Sequence, residues 1–265
     1  LLRLNPKLVI KHDASEHDMY YMNLSDRALS AKKTPRRAVV AWNEYCAGRV
    51  RCMPLMQRLF NDEAYVKYEV DTLDLARRLF KLASNVQSSP LGEEMTLYDI
   101  FTDDELYGFW QADNASWYIG YGACTLNGAT QPFSQRNLLR NIIHEADSCI
   151  ALEHPGATLR FGHETMVLPL TCLLDINGYG LSTGDLGQLE ERGWVNYRIF
   201  PMGANIQLVF FRKDAKDGDV LVKVLLNENE ATLPLPSDLA PYYRWSDFKD
   251  FYLKKLDAYS SSVSN

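Results

Sequence analysis

From Arg36 to Tyr118 the apolar residues return every three or four positions, and that periodicity constrains the fold of these 265 residues more than any other feature. Val39, Val40, Trp42 and Cys46 open the pattern; Met53, Leu55, Met56, Leu59 and Phe60 continue it, and Leu73, Leu75, Leu79, Phe80 and Leu82 repeat it after Asp71. Positions spaced this way share one face of an α-helix. Residues 36–118 therefore read as a mainly helical block, ending in "MTLYDIFTDDELYGFWQADNASWYIGYG" with glycines at 120 and 122. Ahead of it, "NLSDRALSAKKTP" is rich in turn formers and reads as a loop, and "KLVIKHD" (Lys7 to Asp13) has the short apolar run of a strand.

Beyond Gly122 the pattern changes. Ser134 is placed to cap a helix running to about Leu152, with Leu138, Leu139, Ile142, Ile143, Ala146 and Ile150 on one face. "ATLRFG" reads as a short strand ended by Gly162, and "TMVLPLTCLL" as a second apolar helix with Pro169 in its first two turns, where proline is tolerated. "VNYRIFPMGANIQLVFFRK" and "VLVKVLLNENEATLPL" alternate and are β-rich, with "KDGD" as a turn between them, an antiparallel pair. "WSDFKDFYLKKLDAY" closes as an amphipathic helix and "SSSVSN" reads as a disordered tail. The fold class is α/β. The expected organisation is a core strand at 1–12, a mainly helical domain at 13–118, an α/β core segment at 119–258 and a tail at 259–265.

Composition excludes several classes. A hydrophobic content of 46% supports a sizeable core, and no run approaches the ~18 apolar residues of a membrane span. The opening "LLRLNPKLVIKHD" lacks the serial regions of a secretory signal and has no initiator Met, as expected of a processed product or a fragment. A formal net charge of −6 argues against a nucleic-acid surface. Yet Lys32, Lys33, Arg36, Arg37, Arg49 and Arg51 fall within twenty residues. Singly each fits a solvated helix face or its lead-in loop; together they suit a polyanion. The five cysteines show no CxxC, so no structural zinc site is implied. Cys46 and Cys52 are close enough in sequence to pair, and Cys149 and Cys172 sit in apolar helical patterns that suit buried, reduced thiols.

Four of the five histidines precede an acid: His12-Asp13, His17-Asp18, His144-Glu145 and His163-Glu164. "HDASEHD" offers metal ligands, but histidines five apart diverge on a strand or a helix, so only a loop converges them. His144 lies inside a helix beside its apolar face and reads as a partly buried helix residue. His163-Glu164 differs in context: an apolar strand delivers the chain to Gly162, the pair follows, and an apolar helix leads away. Such a strand end before a helix N-terminus suits an anion, and a His and a Glu there can hold a phosphate oxygen and supply a proton. A Glu164 that only caps the helix stands as the competing reading.

"LRFGHETMVLPL" resembles the C-terminal active-site motif of the histidine acid phosphatases, closest to the bacterial multiple inositol polyphosphate phosphatases. "DASEHDMYYMN", "NASWYIGYG", "NLLRNIIHEAD" and "VLLNENEATLPL" resemble further landmarks of that branch in the same order. The resemblance implies a histidine-phosphatase core sheet flanked by helices, a helical second domain, and an active site in the cleft between them. It implies hydrolysis of inositol polyphosphates through a phosphohistidine, with no metal or cofactor, in an exported protein, periplasmic or secreted. His163 matches the histidine that hydrogen-bonds the phosphoryl group and Glu164 the acid that protonates the leaving alkoxide; the six basic residues become substrate-binding candidates. Two departures stand out. Glu directly follows the histidine, where phytase-like relatives carry Asp, and the family's nucleophilic Arg-His-Gly occurs nowhere in these residues. The chain thus resembles the last two-thirds of a family member, and two readings follow: a piece of a phosphatase, whose N-terminal catalytic segment would be its partner, or a noncatalytic binder of phosphorylated ligands.

Overall fold

A one-turn helix, α1 (Arg27–Ser30), opens the computed structural model, which describes residues 20–22, 26–152, 156–214 and 218–264. Asp26 starts it by accepting the amides of Ala28 and Leu29, both at 3.0 Å, the local bonding that makes Asp a helix starter. The stretch expected as plain loop therefore holds a capped turn. The strand expected at Lys7 to Asp13 and the "HDASEHD" cluster lie outside the described residues.

The helical block forms as α2 (Arg36–Ala47), α3 (Met53–Leu59), α4 (Glu63–Glu69), α5 (Thr72–Val86) and α6 (Asp103–Tyr121). Asp62, Asp71 and Thr102 cap the last three through their side chains, and Thr102 with Glu105 closes a reciprocal capping box. The periodicity located these helices but misplaced some inner faces. Val39 and Val40 are 43% and 45% exposed, whereas Ala38, Ala76 and Ala83 are buried. Small residues let helix axes approach, and their larger apolar neighbours turn outward. Leu55, Met56, Val66, Phe101 and Phe109 fill the core, with Phe80 stacked on Phe109 at 5.6 Å.

The described residues fall into two compact units: Lys32–Ala129 with Leu181–Arg198, and the described parts of 1–31, 130–180 and 199–265. The second holds α7 (Arg136–Ile150) and α8 (Glu164–Leu174). After a short turn, α9 (Asn196–Ile199), where extended chain was expected, come β1 (Ile206–Phe211), β2 (Leu221–Leu226), β3 (Asn229–Glu230), β4 (Tyr242–Arg244) and α10 (Trp245–Ser264). The expected antiparallel pair is present: β1 runs against β2 with Ile206 opposite Leu226 and Phe211 opposite Leu221, and β2 also pairs β3 and β4. Val222, Val224 and Leu226 alternate inward from β2 to meet Leu139 and Ile143 of α7, Leu173 of α8 and Phe248 and Tyr252 of α10.

Several expectations change. Ser134 does not cap α7; it sits in a 3-10 turn, Gln131–Gln135, that tightens directly into the helix. The 156–162 segment is not a strand, because among the described residues no neighbour pairs with it. His144 and Cys149 are exposed; at ~100° per residue they lie roughly 100° and 120° from buried Ile143. Cys46 and Cys52 are free, and burial, only partly opposed by Arg77 and Arg49, pushes the Cys46 thiol up to about 11. The final serines are helical: Ser260 and Ser261 donate their hydroxyls to the carbonyls of Leu256 and Asp257 at 3.0 Å, and Tyr259 stacks on Phe133 at 4.0 Å.

Asp26 also pairs with Arg136. Burial alone would raise its carboxyl, but the Ala28 and Leu29 amides and the Arg136 guanidinium outweigh that and hold it below the ordinary carboxylate value. A carboxyl so held contributes stability above its unfolded-state pKa and loses it as pH falls through the lower folded-state value. Asp26→Asn is therefore expected to lower unfolding stability by ~1 kcal/mol at about pH 7, with the difference shrinking towards about pH 3. Urea denaturation across that range measures it, and a difference independent of pH would refute the assignment.

Candidate active site

His163 is the N-cap residue of α8, extended at φ −119° and ψ 164°. Its carbonyl accepts the amides of Met166 at 2.9 Å and Val167 at 3.1 Å, while its ring makes no capping bond. The amides of Glu164 and Thr165 have no carbonyl within the helix to bond, as at any helix start. These donors and the positive end of the helix dipole favour an anion here. Both side chains, His163 and Glu164, are exposed. The arrangement presents one imidazole, one carboxyl and two backbone amides at a single turn.

The rest of α8 is buried from Leu168 to Leu174, which fixes the turn by anchoring the helix behind it. Pro169 lies inside the helix, so the Thr165 carbonyl loses the amide it would otherwise accept. At the far end, the Leu173 carbonyl accepts Lys255 Nζ and the Leu174 carbonyl accepts the Tyr252 hydroxyl, each at 2.6 Å. Burial holds the Lys255 ammonium below its usual value, with Asp175 opposing. A cation among the last carbonyls complements the negative end of the helix.

Ahead of the pair, Gly162 permits close packing: a Cβ there would lie 2.9 Å from Met166 Sδ and 3.7 Å from Met22 Cε. Arg160 ion-pairs with Glu145 of α7, donates to Asn141 Oδ1 at 2.9 Å, and lies 6.0 Å from the centre of the Tyr21 ring. Sequence reasoning passed over Arg160; its signal was a lone charge inside the apolar run "ATLRFG".

The six basic candidates belong to the other unit. Three of them are engaged within it. Lys33 sits 3.3 Å over the Tyr121 ring; Arg37 donates to the Leu126 and Thr125 carbonyls; Arg49 stacks at 3.8 Å on Tyr45 and donates to its carbonyl. Lys32, Arg36 and Arg51 are exposed. Among the described residues no group of three or more His, Cys, Asp or Glu is arranged to hold a metal, and no helix is long and apolar enough to cross a membrane.

The family model described as histidine phosphatase superfamily (branch 2) matches residues 8–227. No curated protein matches the chain. Among solved structures it is similar to the apo form of the Bifidobacterium longum multiple inositol polyphosphate phosphatase, with TM-score 0.59 and 18% identity over 91% of this chain and 58% of that one. It is also similar to the complex of that enzyme with inositol hexasulfate, with TM-score 0.56 and 20% identity over 67% and 38%. At these identities the likeness carries the fold, and the α/β architecture is the shared one. The chain spans about 58% of the longer of the two matches.

Proposed function

Because the chain belongs to the histidine phosphatase superfamily, branch 2, we propose that it carries the phosphate-holding and proton-donating half of a phosphomonoesterase for inositol polyphosphates. The observation that carries this reading is the exposed His163–Glu164 turn at the head of a buried helix, within the matched region. When the P–O bond of an inositol phosphate breaks, the inositol departs as a secondary alkoxide, a strong base. Its departure needs a proton, and Glu164, one residue from the group that would hold the phosphoryl oxygens, is the acid proposed to give it. His163 and the free amides of Glu164 and Thr165 supply donors where negative charge collects. The complex of the similar Bifidobacterium enzyme with inositol hexasulfate supports a polyanionic ring as ligand.

The complete reaction transfers the phosphoryl group to a histidine and then to water, releasing the alcohol and inorganic phosphate. The family's Arg-His-Gly nucleophile is not among these 265 residues. The purified chain is therefore expected to bind inositol hexakisphosphate in calorimetry and to release no phosphate from it. His163→Ala should weaken that binding about tenfold, the worth of one charge-assisted hydrogen bond. Phosphate release would overturn the division of labour, and absence of binding would overturn the ligand.

A further inference from the structure

We propose that Arg160 is the positioning residue of the His163–Glu164 turn and that Glu145 on α7 is the anchor it works through. This rests on reading His163 and Glu164 as the phosphate-handling pair. Extended chain leading into such a turn is ordinarily held by ladder hydrogen bonds to a neighbouring strand. Among the described residues the 156–162 segment has none. Its large apolar side chains do not hold it either: Leu159 and Phe161 face solvent at 71% and 86% exposure.

What remains is polar, and it converges on α7, chiefly on Glu145. Thr158 Oγ1 lies 3.5 Å from Glu145 Oε1, and Arg160 Nη2 pairs with Glu145 Oε2 while donating to Asn141 Oδ1 at 2.9 Å. The Arg160 side chain is only 17% exposed, and its Nε is buried without a hydrogen-bond partner. An arginine three residues before a phosphate-binding histidine invites assignment as a phosphate ligand. Its geometry ties it first to α7, because Nη2 is committed to two acceptors there and Nε is sealed from solvent. Arg160 acts through the backbone: α7 holds Arg160, Arg160 holds the segment, and the segment sets where His163 meets α8.

The amides of Met166 and Val167, which donate to the His163 carbonyl, report the turn directly. In Arg160→Ala their hydrogen exchange should quicken about tenfold or more while amides of β2 keep wild-type exchange, and inositol hexakisphosphate binding should weaken about tenfold. Glu145→Gln should reproduce both effects, and the double variant should be no worse than either single one. Arg160→Lys, which keeps the charge, should recover part of the binding. If Met166 and Val167 exchange as in wild type, or slow and fast amides change together, or the two substitutions add, the proposal falls. Wild-type chain that binds no hexakisphosphate would sink the functional reading instead, and the exchange data would still judge Arg160.

Discussion

In a chain that carries both the His163–Glu164 turn and an Arg-His-Gly histidine, Glu164→Gln is expected to lower kcat for inositol hexakisphosphate by ~10²–10⁴. Gln keeps the size and the hydrogen-bonding capacity of the side chain but has no proton of suitable acidity to give. The loss should depend on the leaving group. A nitrophenolate departs without a proton, so hydrolysis of a nitrophenyl phosphate should fall far less than that of an inositol phosphate. Stopped assays with both substrates measure the contrast. An equal loss on both would assign Glu164 to binding, and an unchanged rate on both would leave it a first-turn acid that complements the helix dipole.

Gly108→Ala is expected to cost about 1–3 kcal/mol of stability, the largest effect foreseen for a single methyl group in the helical unit. A Cβ at Gly108 would stand 2.3 Å from the Arg49 carbonyl oxygen and 3.2 Å from its carbon. Both are backbone atoms, so no rotamer change relieves the clash; α6 has to move away from the chain that follows α2. Gly48→Ala is the matched control, since a Cβ there meets nothing within 4 Å and its φ of −84° suits any residue. It should change stability by no more than about 0.5 kcal/mol. Thermal or urea unfolding of the pair decides, and equal midpoints would show that the helices are not in the close contact described.

Local rules carried most of the helices, because caps and periodicity act within a few residues. Asp62, Asp71 and Thr102 mark their helix starts in sequence as they do in space. The errors share a cause. Val39 and Val40 fit an apolar stripe, but close helix packing preferred Ala38, and nothing local states how near a neighbour comes. Likewise "ATLRFG" has the composition of a strand, yet a strand exists only with a partner, and partners are not written in the strand itself. At the candidate site, the His-Glu pair was legible because glycine, polar pair and apolar helix follow one another directly. Arg160 was not, since its meaning depends on Glu145 and Asn141, fifteen and nineteen residues away.

The two units differ in how they can assemble in time. The helical unit draws most of its residues from one unbroken stretch, Lys32–Ala129. The unit that holds the His-Glu turn takes its core from Leu138 on α7 through Val222 on β2 to Leu256 on α10, so its contacts span long sequence separations and close late. The residues that cap α8 at its far end, Tyr252 and Lys255, come from the closing helix. During synthesis, the turn's own residues leave the ribosome some ninety residues before the lysine that completes their helix. Until then α8 has Leu139 and Ile143 of α7 to pack on but lacks Val222, Phe248 and Tyr252, so part of its apolar surface waits uncovered.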